Sequence, residues 1–232
     1  RRSSVYNSLA ASAFILLCID PFWLWDVGFQ LSYAAVLSIV LFMKPIYSWW
    51  YVKHKIADHI WSLCAVTLAA QILTVPLTVY YFHQFPNLFL LTNLVAVPLS
   101  TVILGGELLL CAIAWLPFAG EAVGWCLTQL IRLLNGFIEH AAIIPYAVWD
   151  GLQINVAQVL LLYLVIVAGS CWIRYQHKWL LYGALTACLL FTAIRVISFI
   201  QATQQQKIIV YNVPQHRAID FIAGRKYRCI AD

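Results

Sequence analysis

The hydrophobic pattern divides the chain into long apolar stretches separated by short polar breaks. Seven stand out, at about 3–19, 22–43, 57–82, 88–116, 122–144, 156–173 and 179–199. A helix rises 1.5 Å per residue, so about 20 apolar residues cover a ~30 Å hydrocarbon core. Each stretch is long enough to cross, the first marginally, and the fifth is the most polar. The fourth carries Asn93, Pro98 and Gly105-Gly106, which predicts an interrupted or re-entrant helix. Pro76 predicts a kink in the third. After Gln204-Gln205-Gln206 the pattern changes. Lys207–Val213 is rich in β-branched residues, and Ala218–Ile222 and Tyr227–Ala231 read as a hairpin around Ala223-Gly224-Arg225. The expected fold class is an all-α polytopic membrane bundle of about seven transmembrane or re-entrant helices, followed by the first β-strands of a soluble domain. The expected division is residues 1–200 and 206–232, the tail being too short for a core of its own and opening a truncated domain.

Polar residues within the apolar stretches fall at helical spacing. Asp26, Gln30 and Tyr33 share one face of the second stretch, and Thr67, Gln71, Thr74 and Thr78 one face of the third. Asn93, Ser100 and Glu107 recur every seven residues in the fourth. The fifth has the densest stripe: Thr128/Gln129, Arg132, Asn135/Gly136 and Glu139/His140. Such spacing marks a helix with one wet face. A charge at the bilayer centre costs about 2.5–3.5 kcal/mol on insertion scales, so these residues turn toward a bundle interior or a watery cavity. Two readings stay open at this point. Ser, Thr, Asn and Gln also hydrogen-bond between helices as plain glue, and Glu107 and Arg132 would serve equally to neutralise each other.

Composition narrows the class. The chain is 63% hydrophobic and 10% charged, against roughly 45–50% and about 25% in soluble domains, which excludes an ordinary soluble globule. The net charge is +5, and its distribution says more than its size. If all seven stretches cross, one side receives Arg1, Arg2, Lys44, Lys53, Lys55, Arg174 and Lys178, while the opposite loops hold no Lys or Arg. The positive-inside rule puts the cationic side in the cytoplasm and the tail on the other side. That inference turns on the fifth helix, because the tail changes sides if this helix lies in the interface. The run from Lys44 to Lys53, rich in Trp and Tyr, suits the headgroup layer. The seven cysteines are scattered without a C-x-x-C pair and read as small buried hydrophobes rather than a disulfide framework or a zinc site. No P-loop, G-x-S-x-G, G-x-G-x-x-G or H-E-x-x-H is present, so neither a cofactor nor a metal is expected. The chain has no initiator Met and ends inside a strand-like segment, which reads as a fragment of a longer protein.

At this point a family resemblance enters. Asp20-Pro21 followed by Asp26-Val27-Gly28-Phe29-Gln30-Leu31-Ser32-Tyr33-Ala34-Ala35 resembles the "P…GFQLSF.A" signature of the ComEC competence proteins. Pro76, Phe82, Phe85-Pro86, Asn93-Leu94 and Pro98-Leu99 resemble the same family's "P…F…P…NL…P" stretch. Arg1, Arg2 and Asn7 fit the run that precedes the first signature. The resemblance covers roughly residues 1–199.

It implies a bacterial inner-membrane channel that passes one DNA strand into the cytoplasm during natural transformation, working with a periplasmic DNA receptor. No ATP site is present, so a motor would be a cytoplasmic partner, and one chain or a homo-oligomer would form the path. On this reading Asp26, Gln30, Gln71, Asn93, Glu107, Gln129, Arg132, Asn135 and Glu139 are candidates to line the path for single-stranded DNA. Gly28, Phe29, Leu31, Ser32, Pro76 and Pro98 are structural motif positions. Arg132 is the residue type that holds phosphates, and Tyr33, Trp115 and Trp125 are candidates to stack bases. The family often carries a C-terminal metallo-β-lactamase-like domain opening with "D-V-G-Q-G-D-A". Here the sequence is Tyr211-Asn212-Val213-Pro214-Gln215-His216-Arg217-Ala218. Asn212, Pro214, His216 and Arg217 depart from that pattern, so such a domain would be degenerate at its start. Two other classes remain in view. A secondary transporter for a small polar solute predicts paired broken helices, and a membrane-embedded enzyme needs Glu107, Glu139 and His140 to converge.

Overall fold

A computed structural model describes residues 4–113, 115–204, 206–213, 216–223 and 226–231. Arg1, Arg2, Pro214 and the Gly224-Arg225 turn, all used above, lie outside the described residues. The helices are α1 (Val5–Ile19), α2 (Val27–Tyr47), α3 (Lys55–Phe82), α4 (Phe89–Ile113), α5 (Pro117–Ile143), α6 (Val156–Tyr175) and α7 (Lys178–Gln204). A short 3-10 turn, Pro21–Trp25, precedes α2. The strands are β1 (Gln84–Pro86), β2 (Val148–Asp150), β3 (Gln206–Val213), β4 (His216–Ala223) and β5 (Lys226–Ala231). The expected class, a helical membrane bundle followed by strands, is the one observed.

Five helices are long and apolar enough to cross a membrane: α2, α3, α4, α6 and most of α7. At 15 residues, α1 reaches only about 22 Å and falls short of the core. With 27 residues, α5 has the length but not the composition. The chain divides into two compact units, residues 1–155 and 156–232.

In the first unit, two aspartates begin two elements. Asp20 accepts from the Phe22 N–H at 2.9 Å to cap the 3-10 turn. Asp26 accepts from the Phe29 N–H at 2.8 Å to cap α2. Each offsets donors that a helix start leaves unpaired. Within the second apolar stretch the α-helix therefore starts just after Asp26, behind the 3-10 turn. α2 then packs antiparallel on α3. Ile46, Ala65 and Ala69 are buried at that contact among Phe42, Met43, Tyr47, Leu68 and Ile72. Ala65 and Ala69, both at 0% exposure, form a small-x-x-x-small step that lets the backbones approach.

The expected interruption of the fourth stretch does not occur. α4 runs unbroken through Asn93, Pro98 and Gly105-Gly106. Gly106 serves packing instead: a Cβ there would stand 2.5 Å from Leu127 Cδ2, so its bare backbone admits α5 against α4. Pro76 likewise leaves α3 continuous and is fully buried.

An antiparallel clasp, not anticipated from the pattern, ties the loop after α3 to the loop after α5. β1 pairs with β2 in the register Gln84↔Asp150, Phe85↔Trp149 and Pro86↔Val148. The Asn87 N–H donates to the Ala147 carbonyl and its Nδ2 to the Tyr146 carbonyl, both at 2.8 Å. The Leu152 N–H donates to the His83 carbonyl at 2.9 Å. Gly151 takes φ +76°, the left-handed backbone that glycine adopts without strain. The clasp brings the start of α4 and the end of α5 together. With Gly106 meeting Leu127 between these ends, α4 and α5 run antiparallel along each other.

In the second unit α6 and α7 form a hairpin, joined at Gln176, where φ is +56°. The tail is a three-stranded antiparallel sheet in the order β3-β4-β5. Val213 pairs with His216 and Ala223 with Lys226, so two residues join each pair of strands. The strands fall where the β-branched run and the hairpin were expected.

Candidate functional site: the polar faces of two helical hairpins

The polar residues singled out from sequence fall into two groups that differ in how they are satisfied. The first belongs to α2 and α3. The Gln30 side chain is engaged at both ends: its Nε2 donates to the Leu24 carbonyl at 2.8 Å, and its Oε1 accepts from the Tyr81 hydroxyl at 2.9 Å. The Tyr33 hydroxyl lies 3.0 Å from Ser12 Oγ on α1, and its ring centroid is 4.4 Å from that of Phe29. Asp26 is held by its cap. Gly28 sits beside that carboxylate, and a Cβ there would meet Asp26 Oδ1 at 3.1 Å. The D-V-G-F-Q run is thus a cap, a glycine that clears it, an aromatic that packs on Tyr33, and an amide that braces α2 against α3. Leu31 lies partly buried on α2 and Ser32 is exposed.

Ser38, which the sequence reading missed, is the most buried polar residue of this pair, at 0% exposure. Its hydroxyl donates to the Ala69 carbonyl and accepts from the Leu73 N–H at 3.1 Å. It therefore bridges the two ends of one turn of α3. The only signal in the sequence was a small hydroxyl in an apolar run. On α3, Thr67 is buried, Gln71 is partly buried, and Thr74 Oγ1 donates to the Ala70 carbonyl at 3.0 Å.

The second group belongs to α4 and α5. Arg132, Asn135 and Glu139 are exposed along α5, as is Glu107 on α4. Gln129 and Asn93 are partly buried, and Pro98 is exposed. Among the described residues no ion pair or hydrogen bond engages Arg132, Glu107 or Glu139, so the alternative in which Glu107 and Arg132 neutralise each other is not seen. Trp115 and Trp125 are 79% and 66% exposed.

The geometry also bears on the rival classes. His140 Nδ1 lies 2.6 Å from the Gly136 carbonyl of its own helix. With Gly106 opposite Leu127, Glu139 lies twelve residues along α5, about 18 Å from the level of Glu107. The acid/base groups that an embedded enzyme needs do not converge. Among the described residues no three His, Cys, Asp or Glu side chains group as metal ligands. A transporter's paired broken helices lose their one candidate with the continuity of α4.

Apolar spans tied into hairpins, one pair sealed by hydrogen bonds and one with an exposed polar face on α5, define a polytopic membrane protein. The model of the Competence protein family matches residues 1–176, and the chain belongs to that family. It is 30% identical over 95 residues to ComE operon protein 3 of Bacillus subtilis (strain 168), a match covering 41% of this chain and 11% of that protein. No solved structure matches the chain.

Proposed function

We propose that this chain is part of a channel that carries single-stranded DNA across the bacterial inner membrane during natural transformation, with the α5 stripe on the path. The observation that carries this reading is the exposed, unpaired Arg132 between Gln129 and Asn135 on a helix clasped to the end of a membrane span. A cation cannot rest against lipid at that depth without large cost, whereas a phosphate backbone in a watery groove supplies its counter-charge. Family membership, and the similarity to a protein named for the ComE operon, support DNA as the cargo over a small solute.

The orientation of the chain is read from the cations. Lys44, Lys53 and Lys55 gather in the α2–α3 connection, and Arg174 and Lys178 in the α6–α7 connection. If α5 returns across the membrane beside α4, both connections fall on one side in chain order, and the positive-inside rule makes that side cytoplasmic. The tail from β3 onward then lies in the periplasm. A periplasmic receptor would present the DNA and a cytoplasmic motor would draw it in.

The test is Arg132→Glu in the transformable host. The expected result is loss of DNA uptake with unchanged membrane abundance, and partial recovery with Arg132→Lys. Uptake at the original level in Arg132→Glu would remove α5 from the path.

A further inference from the structure

The cationic end of the α2–α3 hairpin carries a recess separate from the polar faces described above. The connection contributes Trp50, Tyr51 and Lys53, and α3 contributes Ile60, Trp61 and Cys64, around a cavity of about 380 Å³. Its volume falls within the roughly 300–1,000 Å³ of small-molecule pockets. Ala57, then Ile60 and Trp61, then Cys64 follow one another up successive turns of a membrane span, so the wall runs along the helix from the polar connection toward the hydrocarbon.

The recess is preformed. The Trp61 indole N–H donates to the Tyr47 carbonyl at 3.0 Å, and the Trp50 ring stands edge-on to it at 6.1 Å between centroids. The nearby carboxylate is committed elsewhere, since the Tyr47 hydroxyl donates to Asp58 Oδ1. Lys53 is exposed, and Lys44 and Lys55 are exposed at the adjoining helix ends. The result is an apolar slot along a span with a net positive charge at its polar end, three lysines against the Asp58 carboxylate.

We infer that this recess binds an anionic phospholipid. One acyl chain lies along Ile60, Trp61 and Cys64, and the phosphate is held by Lys53 within the field of Lys44 and Lys55. The charge selects an anionic head, and the apolar wall along a membrane span selects a lipid over a nucleic acid. Trp50 and Tyr51 are exposed and offer ring faces on which bases stack, but the wall continues down a membrane span, where an acyl chain lies and a nucleic acid does not. The inference depends on membrane insertion of the hairpin and not on the DNA cargo.

The experiment uses the full chain, purified in a mild detergent and incubated with equimolar phosphatidylglycerol and phosphatidylcholine of matched chains. Retained lipids are counted by native mass spectrometry. The wild-type chain is expected to retain phosphatidylglycerol about tenfold over phosphatidylcholine. Lys53→Glu, in the exposed connection, is expected to bring the ratio to parity. Ile60→Trp, which fills the slot, is expected to lower retention of both lipids. Equal retention by the wild-type chain would overturn the proposal, as would an unchanged ratio in Lys53→Glu. Displacement of the bound lipid by a thymidine oligonucleotide would make the recess a nucleic-acid site and overturn it equally. Should Ile60→Trp fail to fold, the Lys53→Glu ratio decides alone.

Discussion

The α2–α3 and α4–α5 hairpins carry polar stripes of similar helical spacing, yet they use them in opposite ways. In α2–α3, Gln30, Tyr33 and Ser38 each hydrogen-bond another element of the fold, and Ser38 is wholly buried. In α4–α5, Glu107, Arg132 and Glu139 are exposed and make no such bond among the described residues. Small residues explain part of the difference. Ala65 and Ala69 let α2 close on α3 until side-chain polar groups reach backbone, whereas Gly106 and Leu127 bring α4 and α5 together through an apolar contact that leaves the charges outside. One stripe is a fastener and the other is a surface. Polarity inside a membrane protein therefore marks a water-filled path only where the polar groups stay unspent.

The largest effect expected to separate the two is functional: Arg132→Glu removes uptake while protein abundance stays normal, whereas no α2–α3 substitution should spare abundance and lose uptake. Next comes Ser38→Leu, which loses a bridge across a turn of α3 and overfills the Ala69 contact. A loss of about 2–3 kcal/mol is expected, seen as a lower unfolding temperature in detergent. Stability at the wild-type level would show that the α2–α3 stripe is not a fastener. Asn87→Ala removes one bond of the clasp and is expected to cost about 1 kcal/mol. Hydrogen exchange should then quicken at residues 84–87 and 147–152 but not within α2 or α3. Tyr81→Phe deletes the bond to Gln30 and should cost about 0.6 kcal/mol, the usual worth of one interhelical bond in a membrane. A shift several times larger would mean that Gln30 supports more than the brace.

The sequence made the helices legible because membrane spans announce themselves by length and apolarity, and α3, α6 and α7 begin within two residues of where the pattern put them. The tail strands were legible for a similar reason, in their β-branched runs. Other features were hidden by physics that acts at a distance. The β1–β2 clasp joins residues more than sixty positions apart through backbone bonds, which leave no side-chain pattern. Ser38 looks like any small residue until Ala69 is brought beside it. Pro98 and Gly105-Gly106 suggested a broken helix, but apolar surroundings keep α4 continuous and turn Gly106 into a packing surface. Which of the polar stripes stayed open depended on pairing between helices, and spacing along one helix does not encode it.

The most direct test of the central claim is water access at membrane depth. Arg132→Cys, Asn135→Cys and Glu139→Cys, with Ser38→Cys and Gln30→Cys for comparison, are placed one at a time in a chain whose native cysteines are replaced by serine or alanine. Intact cells are then treated with a charged methanethiosulfonate reagent, which reacts only with thiols in water. The account predicts rapid labelling at the three α5 positions and none at Ser38→Cys or Gln30→Cys. Labelling of the α2–α3 positions with protection of all three on α5 would contradict it.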